Sequence, residues 1–445
     1  MPTVYFSKEG QNYLQKGAEE LKVAFGIIIG QKSYDDKYNI IHLAKLLEDE
    51  ESISSTQETT PSLETVDVQS LADQWISASK MTPGSFSVIG VFMSNAENDS
   101  NDDKQTKNIK KMLTKLHKLV TNSNSTIGYT EHTTDLEILF LSYSAPSAKS
   151  NFKIFSNSSS GGNLMPADCK VFEKLPQWYL FESNYELEDV FPLTNNQEEI
   201  DVENQFNAIL QAVKLNIQNS EIFIQQQNVD DNTTLESYLK ENSNNKKNDV
   251  PHVFNASILL TANVSNEFLI KIRPFNGTIR FSGIVSSRIW SHAKNTFKEI
   301  KESIRRDILR SLAARIQIYC DGLTDTVLKT DGVVVNEPPR RIYFCNSKSQ
   351  GGIQFSEYVF RGETPSVAVS QAKQILDMDI NSDCIFDDLE GLPEDEVSSL
   401  FDEAYEEREV QPYTGLGLSR TMYVLAILVV LLVLLLSVLL NHLLL

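Results

Sequence analysis

The residues able to do chemistry are scattered along this chain. No two of its six histidines, His42, His117, His132, His252, His292 and His442, lie within ten residues of each other. A hydrolytic zinc site usually takes two histidines from one turn or strand plus a carboxylate, so zinc here would need distant ligands. The four cysteines, Cys169, Cys320, Cys345 and Cys384, form no C-x-x-C and no regular spacing, and in the cytosol they are reduced thiols. A cysteine nucleophile needs a nearby base and an electropositive setting. Cys320 follows a basic helix and Cys345 lies in an apolar strand, so these two would serve a cysteine-dependent or other hydrolase whose site is not recognisable from sequence. Buried structural thiols are the simpler reading. Asp377, Asp379, Asn381, Asp383 and Asp388 approach EF-hand spacing, but Ser382 stands where the turn needs glycine and Asp388 replaces the bidentate glutamate. There is no Walker loop, G-x-G-x-x-G, G-x-S-x-G or H-E-x-x-H. The expectation is a chain with no catalytic residue, metal or cofactor.

The elements that would position any site read as mixed α/β or α+β. Ser7 caps a helix through about Leu21, followed by the apolar strands Val23–Gly30 and Tyr38–Ala44. A helix with Trp75 on its apolar side ends at Pro83-Gly84, and a third strand spans Phe86–Met93. A basic helix (104–120) and a strand (136–143) complete a first body, 1–145. The Ser/Asn-rich stretch 146–165 reads as a linker. A second α+β body, 166–378, carries a polar Asn-rich insert at 225–250, expected to be mobile and outside the core. Its clearest helix repeats Phe297, Ile300, Ile304, Ile308, Leu312 and Ile316 at steps of three and four. Lys294, Lys298, Lys301 and Arg305 make a second stripe on that helix. A solvated face is its ordinary meaning, and contact with an acidic partner or with the chain's own acidic segment is the sharper one.

Charge and hydropathy separate the C-terminal part. The net charge is −20. Fourteen acidic residues and one arginine lie between Asp377 and Glu409. Residues 379–420 therefore read as an acidic tether, repelled by anionic lipid. Acid on this scale argues against nucleic acid as a partner. From Met422 to Leu440 the chain has no charge, glycine or proline. As a helix it would be about 28 Å long, enough for a bilayer core. Residues 421–441, with Met422, Leu425, Leu428, Leu432, Leu436 and Leu440 along the span, are the expected anchor. The N-terminus lacks the apolar region of a signal peptide, which implies a tail anchor with the bulk of the chain in the cytosol. Pro393, Pro412 and two glycines precede the span, unlike the long membrane-proximal heptads of fusion proteins.

Two resemblances add to this reading. The N-terminal order of helix, GIIIG strand, second strand, Trp-bearing helix and VIGVFM resembles MPN domains, the fold of JAMM metalloproteases and their inactive partners. In active members the third strand runs Gly-aromatic-aromatic-His-Ser-His. Here Met93 and Asn95 take the histidine positions, Thr106 the aspartate position and Val23 the catalytic glutamate position. The resemblance thus implies a pseudoenzyme, since an amide and a thioether are poor substitutes for imidazole at zinc. Nearly the whole chain resembles the odorant-response-abnormal-four (Odr-four-like) family of membrane proteins. The segments that carry this are GIIIGQ (26–31), PGSFSVIGVF (83–92), PADCK (166–170), SGIVSSRIWSHAKNTFKEIKESIRRDIL (282–309), PRRIYF (339–344) and EYVF (357–360). Membership implies maturation and trafficking of odorant-type G-protein-coupled receptors from the endoplasmic reticulum. It also implies a role as membrane partner of the protease specific for ubiquitin-fold modifier, itself a chain with an MPN-like domain. The expected function is a non-catalytic adaptor of the endoplasmic reticulum membrane that holds a cytosolic partner close to membrane substrates.

Overall fold

A computed structural model of the chain describes residues 1–390, except 34–35, 48–65, 97–102, 127–135, 159–160, 174–175, 195–201, 246–252, 261–274, 323–337, 346–351 and 361. The expected anchor at 421–441 and tether residues 391–420 lie outside the described residues. Among the described residues no helix is long and apolar enough to cross a membrane.

Seven strands form a closed barrel: β1 (Thr3–Ser7), β2 (Val23–Ser33), β3 (Lys37–Lys45), β4 (Ser87–Asn95), β5 (Glu137–Ser144), β6 (Lys149–Ser158) and β7 (Gly161–Phe172), in the order β1-β3-β2-β4-β5-β6-β7. β1 closes it by pairing in parallel with both β3 and β7. α1 (Lys8–Leu21) starts where the Ser7 hydroxyl accepts the Gly10 N–H at 3.0 Å, a side-chain N-cap. α2 (Val68–Met81) starts likewise at Asp67, whose carboxylate accepts the Gln69 N–H. The central strands look uniformly apolar because each face feeds a different core. Ile28, Phe92, Leu139 and Leu141 join Phe6 and Phe152 in one core. Ile27, Val91, Met93 and Phe140 join Trp75 of α2 and Leu113 and Leu116 of α3 (Asp103–Thr126) in another.

The linker expected at 146–165 is instead occupied by β6 and the first residues of β7, which complete the barrel. Its polar composition hides the pattern: Phe152 and Ile154 enter one core while Phe155 enters the other.

A second sheet, β11-β8-β10-β9, is built from β8 (Trp178–Thr194), β9 (Glu221–Ile224), β10 (Val253–Leu259) and β11 (Phe275–His292). It shares a core with α4 (Val202–Gln218), α5 (Leu235–Asn245) and α6 (Phe297–Gly322). All six apolar positions of the periodic helix are buried in that core. Thr296 and Glu299 form its capping box, each side chain accepting the other's backbone N–H. The insert at 225–250, expected to be mobile and outside the core, instead contributes α5: Leu235 is fully buried, with Tyr238 and Leu239 packed beside it.

A third sheet, β13-β12-β14, consists of β12 (Arg340–Cys345), β13 (Gln354–Val359) and β14 (Ile385–Phe386). With α7 (Val367–Leu376) it packs not on the second sheet's core but on the barrel helices: Ile342, Phe344, Phe355, Ala372 and Leu376 share the core of Trp75. The single second body expected at 166–378 is therefore divided. β7 belongs to the barrel, and the last elements return to the core beneath α2. The acidic tether also starts later than residue 379, since Ile380 and Glu390 are buried and β14 pairs with β12.

Candidate functional site

The positions matched to the MPN metal site lie on β2, β4 and α3. Val23 opens β2 directly opposite Asn95, and Phe25 pairs with Met93. Met93 is buried in the core beneath the helices. Around them the polar groups serve the backbone: the Ser94 hydroxyl donates to the Leu14 carbonyl at 2.7 Å, and the Asn95 carbonyl accepts from Ala145 N–H at 2.9 Å. Thr106 sits in the first turns of α3. A thioether, an amide and a valine supply neither a base nor an anionic ligand set. Among the described residues no three His, Cys, Asp or Glu side chains converge as a metal site would require. The EF-hand-like carboxylates have other work. Asp377, in left-handed conformation after α7, accepts from the Tyr13 hydroxyl at 2.6 Å and from Lys373 at 3.1 Å, and Asp379 also accepts from Lys373.

The expected basic stripe is split, and Lys294 precedes α6, which begins at Phe297. Lys294 and Lys298 are exposed. Lys301 turns inward, donating to the Val229 carbonyl at 2.9 Å and the Asp231 carboxylate at 2.7 Å. Arg305 donates to the Ser220 carbonyl at 2.7 Å. Half of the expected partner-contact stripe therefore fastens α6 to its own neighbours. The cysteines are half-buried free thiols. Burial pushes the Cys169 thiol up to about 11 and raises that of Cys345, which disfavours the thiolate that a nucleophile requires.

A dense polar constellation was not foreseen, though its central residues Gly84, Asp307 and Arg341 lie in segments that carried the family resemblance. Asp307, on α6, is completely buried and accepts two hydrogen bonds from Arg341 on β12 as well as the Gly84 N–H at 2.8 Å. Burial opposes the charge on Arg341, but Asp307 outweighs it and holds the guanidinium protonated, above its ordinary range. Its Nε donates to Ser356 Oγ at 2.8 Å, and its plane lies 4.9 Å from the Tyr343 ring centre. Arg310, one turn along α6, donates to the carbonyls of Thr82 and Phe86 at 3.1 and 2.9 Å. Trp290 N–H donates to Ser85 Oγ at 3.0 Å. The turn between α2 and β4 is thus gripped by α6 and β11. Glu390 closes the cluster, accepting from Arg315, from Arg341 N–H at 2.7 Å and from Ser286 N–H at 2.9 Å. Every carboxylate and guanidinium here is hydrogen-bonded, as burial demands: Asp307 pairs with Arg341 and Glu390 with Arg315, while Arg310 is held by backbone carbonyls. Such an arrangement joins elements rather than transforming a substrate. The available signal was a charge inside an apolar pattern: Asp307 beside Ile308, and Arg341 before Ile342-Tyr343-Phe344.

The family model described as "ODR4-like: Odorant response abnormal 4-like" matches residues 26–385. A curated relative, "Protein odr-4 homolog" of Drosophila melanogaster, is 35% identical over 436 residues, covering 89% of this chain and 88% of its own. The protein of the same name from Homo sapiens is 23% identical and covers 67% of this chain and 65% of its own. Among solved structures, the crystal structure of UfSP from C. elegans aligns with a TM-score of 0.40 and 6% identity, over 84% of this chain and 56% of that one.

Proposed function

The chain belongs to the odorant response abnormal 4-like family, and from that premise we propose that it is a non-catalytic, tail-anchored adaptor of the endoplasmic reticulum membrane. It recruits a protease specific for ubiquitin-fold modifier and assists the localisation of odorant-type G-protein-coupled receptors. The N-terminal barrel is an MPN-like module turned from catalysis to binding. The observation that carries this reading is the replacement of the metal-site positions by structural residues: Met93 packs in a core, and Val23 faces Asn95 across a strand pair. The apolar run at 422–440 supports the anchor. Confinement to a surface raises the effective concentration of a bound partner near membrane substrates without any new contact.

A mild-detergent pull-down of the tagged full-length chain, with mass spectrometry of stoichiometric partners, tests the proposal. Recovery of the modifier protease, absent from an anchor-only control, is the expected result. Recovery of the chain alone would remove the protease from the reading and leave receptor localisation, scored by imaging receptors in cells lacking the chain.

A further inference from the structure

β14 pairs antiparallel with β12 through Tyr343 opposite Phe386 and Phe344 opposite Ile385. Cys345 ends β12, and Cys384, the last residue of the 3-10 turn Ser382–Cys384, immediately precedes β14, so one further step along the same register leads from Cys345 to Cys384. Cys384 is near enough to add to the upward shift of the Cys345 thiol, and both are half-buried free thiols. Continued by that one step, antiparallel pairing would place their Cα atoms about 4.5 or 5.5 Å apart, according to the type of pair. Both spacings fall in the disulfide window of about 4.4–6.8 Å. The other two cysteines are placed elsewhere, Cys169 against the core of Phe6 and Cys320 against the core of the second sheet. Arg288 lies beside the pair, its guanidinium 6.0 Å from the Phe386 ring centre.

We propose that Cys345 and Cys384 are a covalent modification site, joined by a reversible cross-strand disulfide that fixes the start of the acidic segment to β12. With glutathione disulfide as oxidant, one cysteine thiolate attacks a glutathione sulfur, forming a mixed disulfide and expelling one glutathione thiolate. The second cysteine thiolate then attacks the protein sulfur of that mixed disulfide and expels the other. Two protein thiols are oxidised to one disulfide, one glutathione disulfide is reduced to two glutathione thiols, and the two cysteine protons end on the glutathione. Burial raises the Cys345 thiol, while the Arg288 charge works the other way. The exchange is therefore slow at neutral pH and faster at higher pH. β14 is two residues long, so the bond reinforces a short strand pairing just before Glu390 for as long as it stays oxidised.

Full-length protein in mild detergent is equilibrated at pH 8 with glutathione buffers of rising disulfide-to-thiol ratio, acid-quenched, alkylated and digested for mass spectrometry. The expected result is a linked Cys345–Cys384 peptide, with alkylation at both positions falling together at least tenfold while Cys169 stays alkylated. In Cys384→Ser, Cys345 then carries only alkyl or glutathione. Continued alkylation of Cys345 and Cys384 in the wild-type chain at the most oxidising ratio would overturn the proposal. So would glutathione on each without a bond between them. The wild-type titration decides the matter even if the variant folds poorly.

Discussion

Arg341 and Asp307 hold each other through two parallel hydrogen bonds, Nη1 to Oδ2 at 2.9 Å and Nη2 to Oδ1 at 3.1 Å, with both side chains shut off from solvent. Because the same Asp307 oxygen that meets Nη2 also accepts the Gly84 N–H, one carboxylate ties α6, β12 and the turn before β4. Removing a single partner leaves a buried charge with no counterion. Arg341→Met should cost about 3–5 kcal/mol, read as a lower urea midpoint of the full chain. The double change Asp307→Leu with Arg341→Met should cost less than the single one, because no orphan charge remains. A loss in the double variant equal to the sum of the Asp307→Leu and Arg341→Met losses would show that the charges are not coupled.

Gly84 and Gly17 should respond oppositely to alanine. A Cβ at Gly84 would lie 2.4 Å from Asp307 Cβ and 2.5 Å from its backbone nitrogen, so Gly84→Ala should destabilise by about 1–3 kcal/mol or more. A Cβ at Gly17, inside α1, meets only Ala24 Cβ at 3.7 Å. Gly17→Ala should stabilise by about 0.5–1 kcal/mol. Thermal melts of both variants check the pair.

Tyr13 joins α1 to the residue that ends α7. Its hydroxyl donates to Asp377 at 2.6 Å and accepts the Lys45 N–H at 2.8 Å. Tyr13→Phe removes a charge-assisted bond and should cost about 1.5–3 kcal/mol. Increased proteolysis at α7, with the barrel still resistant, would locate the loss.

Low pH should weaken the fold through His42. Its Nε2 donates to the Leu376 carbonyl at 2.6 Å, and burial holds its pKa below the ordinary value. The folded state therefore binds the proton less readily than the unfolded one. The stability conferred by the neutral ring is complete above about pH 6.5 and declines as pH falls towards the lowered folded value. Burial raises Glu357 and acts in the opposite sense over the carboxylate range. The comparison is therefore the urea midpoint of wild type against His42→Phe from pH 7.5 to 5.5, where the wild type should fall more steeply.

The α6 stripe gives a matched pair. Lys301→Met should cost about 1–3 kcal/mol, because a buried ammonium is replaced beside Asp231 and the Val229 carbonyl. Lys298→Met, exposed on the same helix, should stay within about 0.5 kcal/mol of wild type. If Lys298→Met nonetheless weakens a partner pull-down, the exposed half of the stripe is a contact surface.

Periodicity made much of the fold readable. The runs around Ile27–Ile29 and Val91–Met93 announced strands buried on both faces, and the spacing from Phe297 to Ile316 announced α6. β6 was hidden because its Phe152, Ile154 and Phe155 stand among serines and asparagines, so composition outweighed alternation. The linker reading failed for that reason, and the domain division failed also because β12, β13 and α7 return to the core of Trp75. The polar junction was unreadable in principle, since Gly84 and Asp307 are 223 residues apart and no local rule pairs them. What sequence did carry was membership: the PGSF, IRRDIL and PRRIYF segments that marked the family are the ones that meet at Asp307.

Glu390 accepts the backbone N–H groups of Ser286 and Arg341 and pairs with Arg315. The barrel, by contrast, is complete once β7 ends at Phe172. At about 5–20 residues per second of synthesis, the ribosome exposes a closed barrel on the order of ten seconds or more before the carboxylate that finishes the junction emerges. Once Arg341 has emerged, and until Glu390 follows it 49 residues later, Arg315 and two amides lack their acceptor. Nascent chains stalled between those two points therefore present an unsatisfied polar cluster beside apolar surface, which distinguishes an unfinished chain from a finished one for a chaperone that meets it.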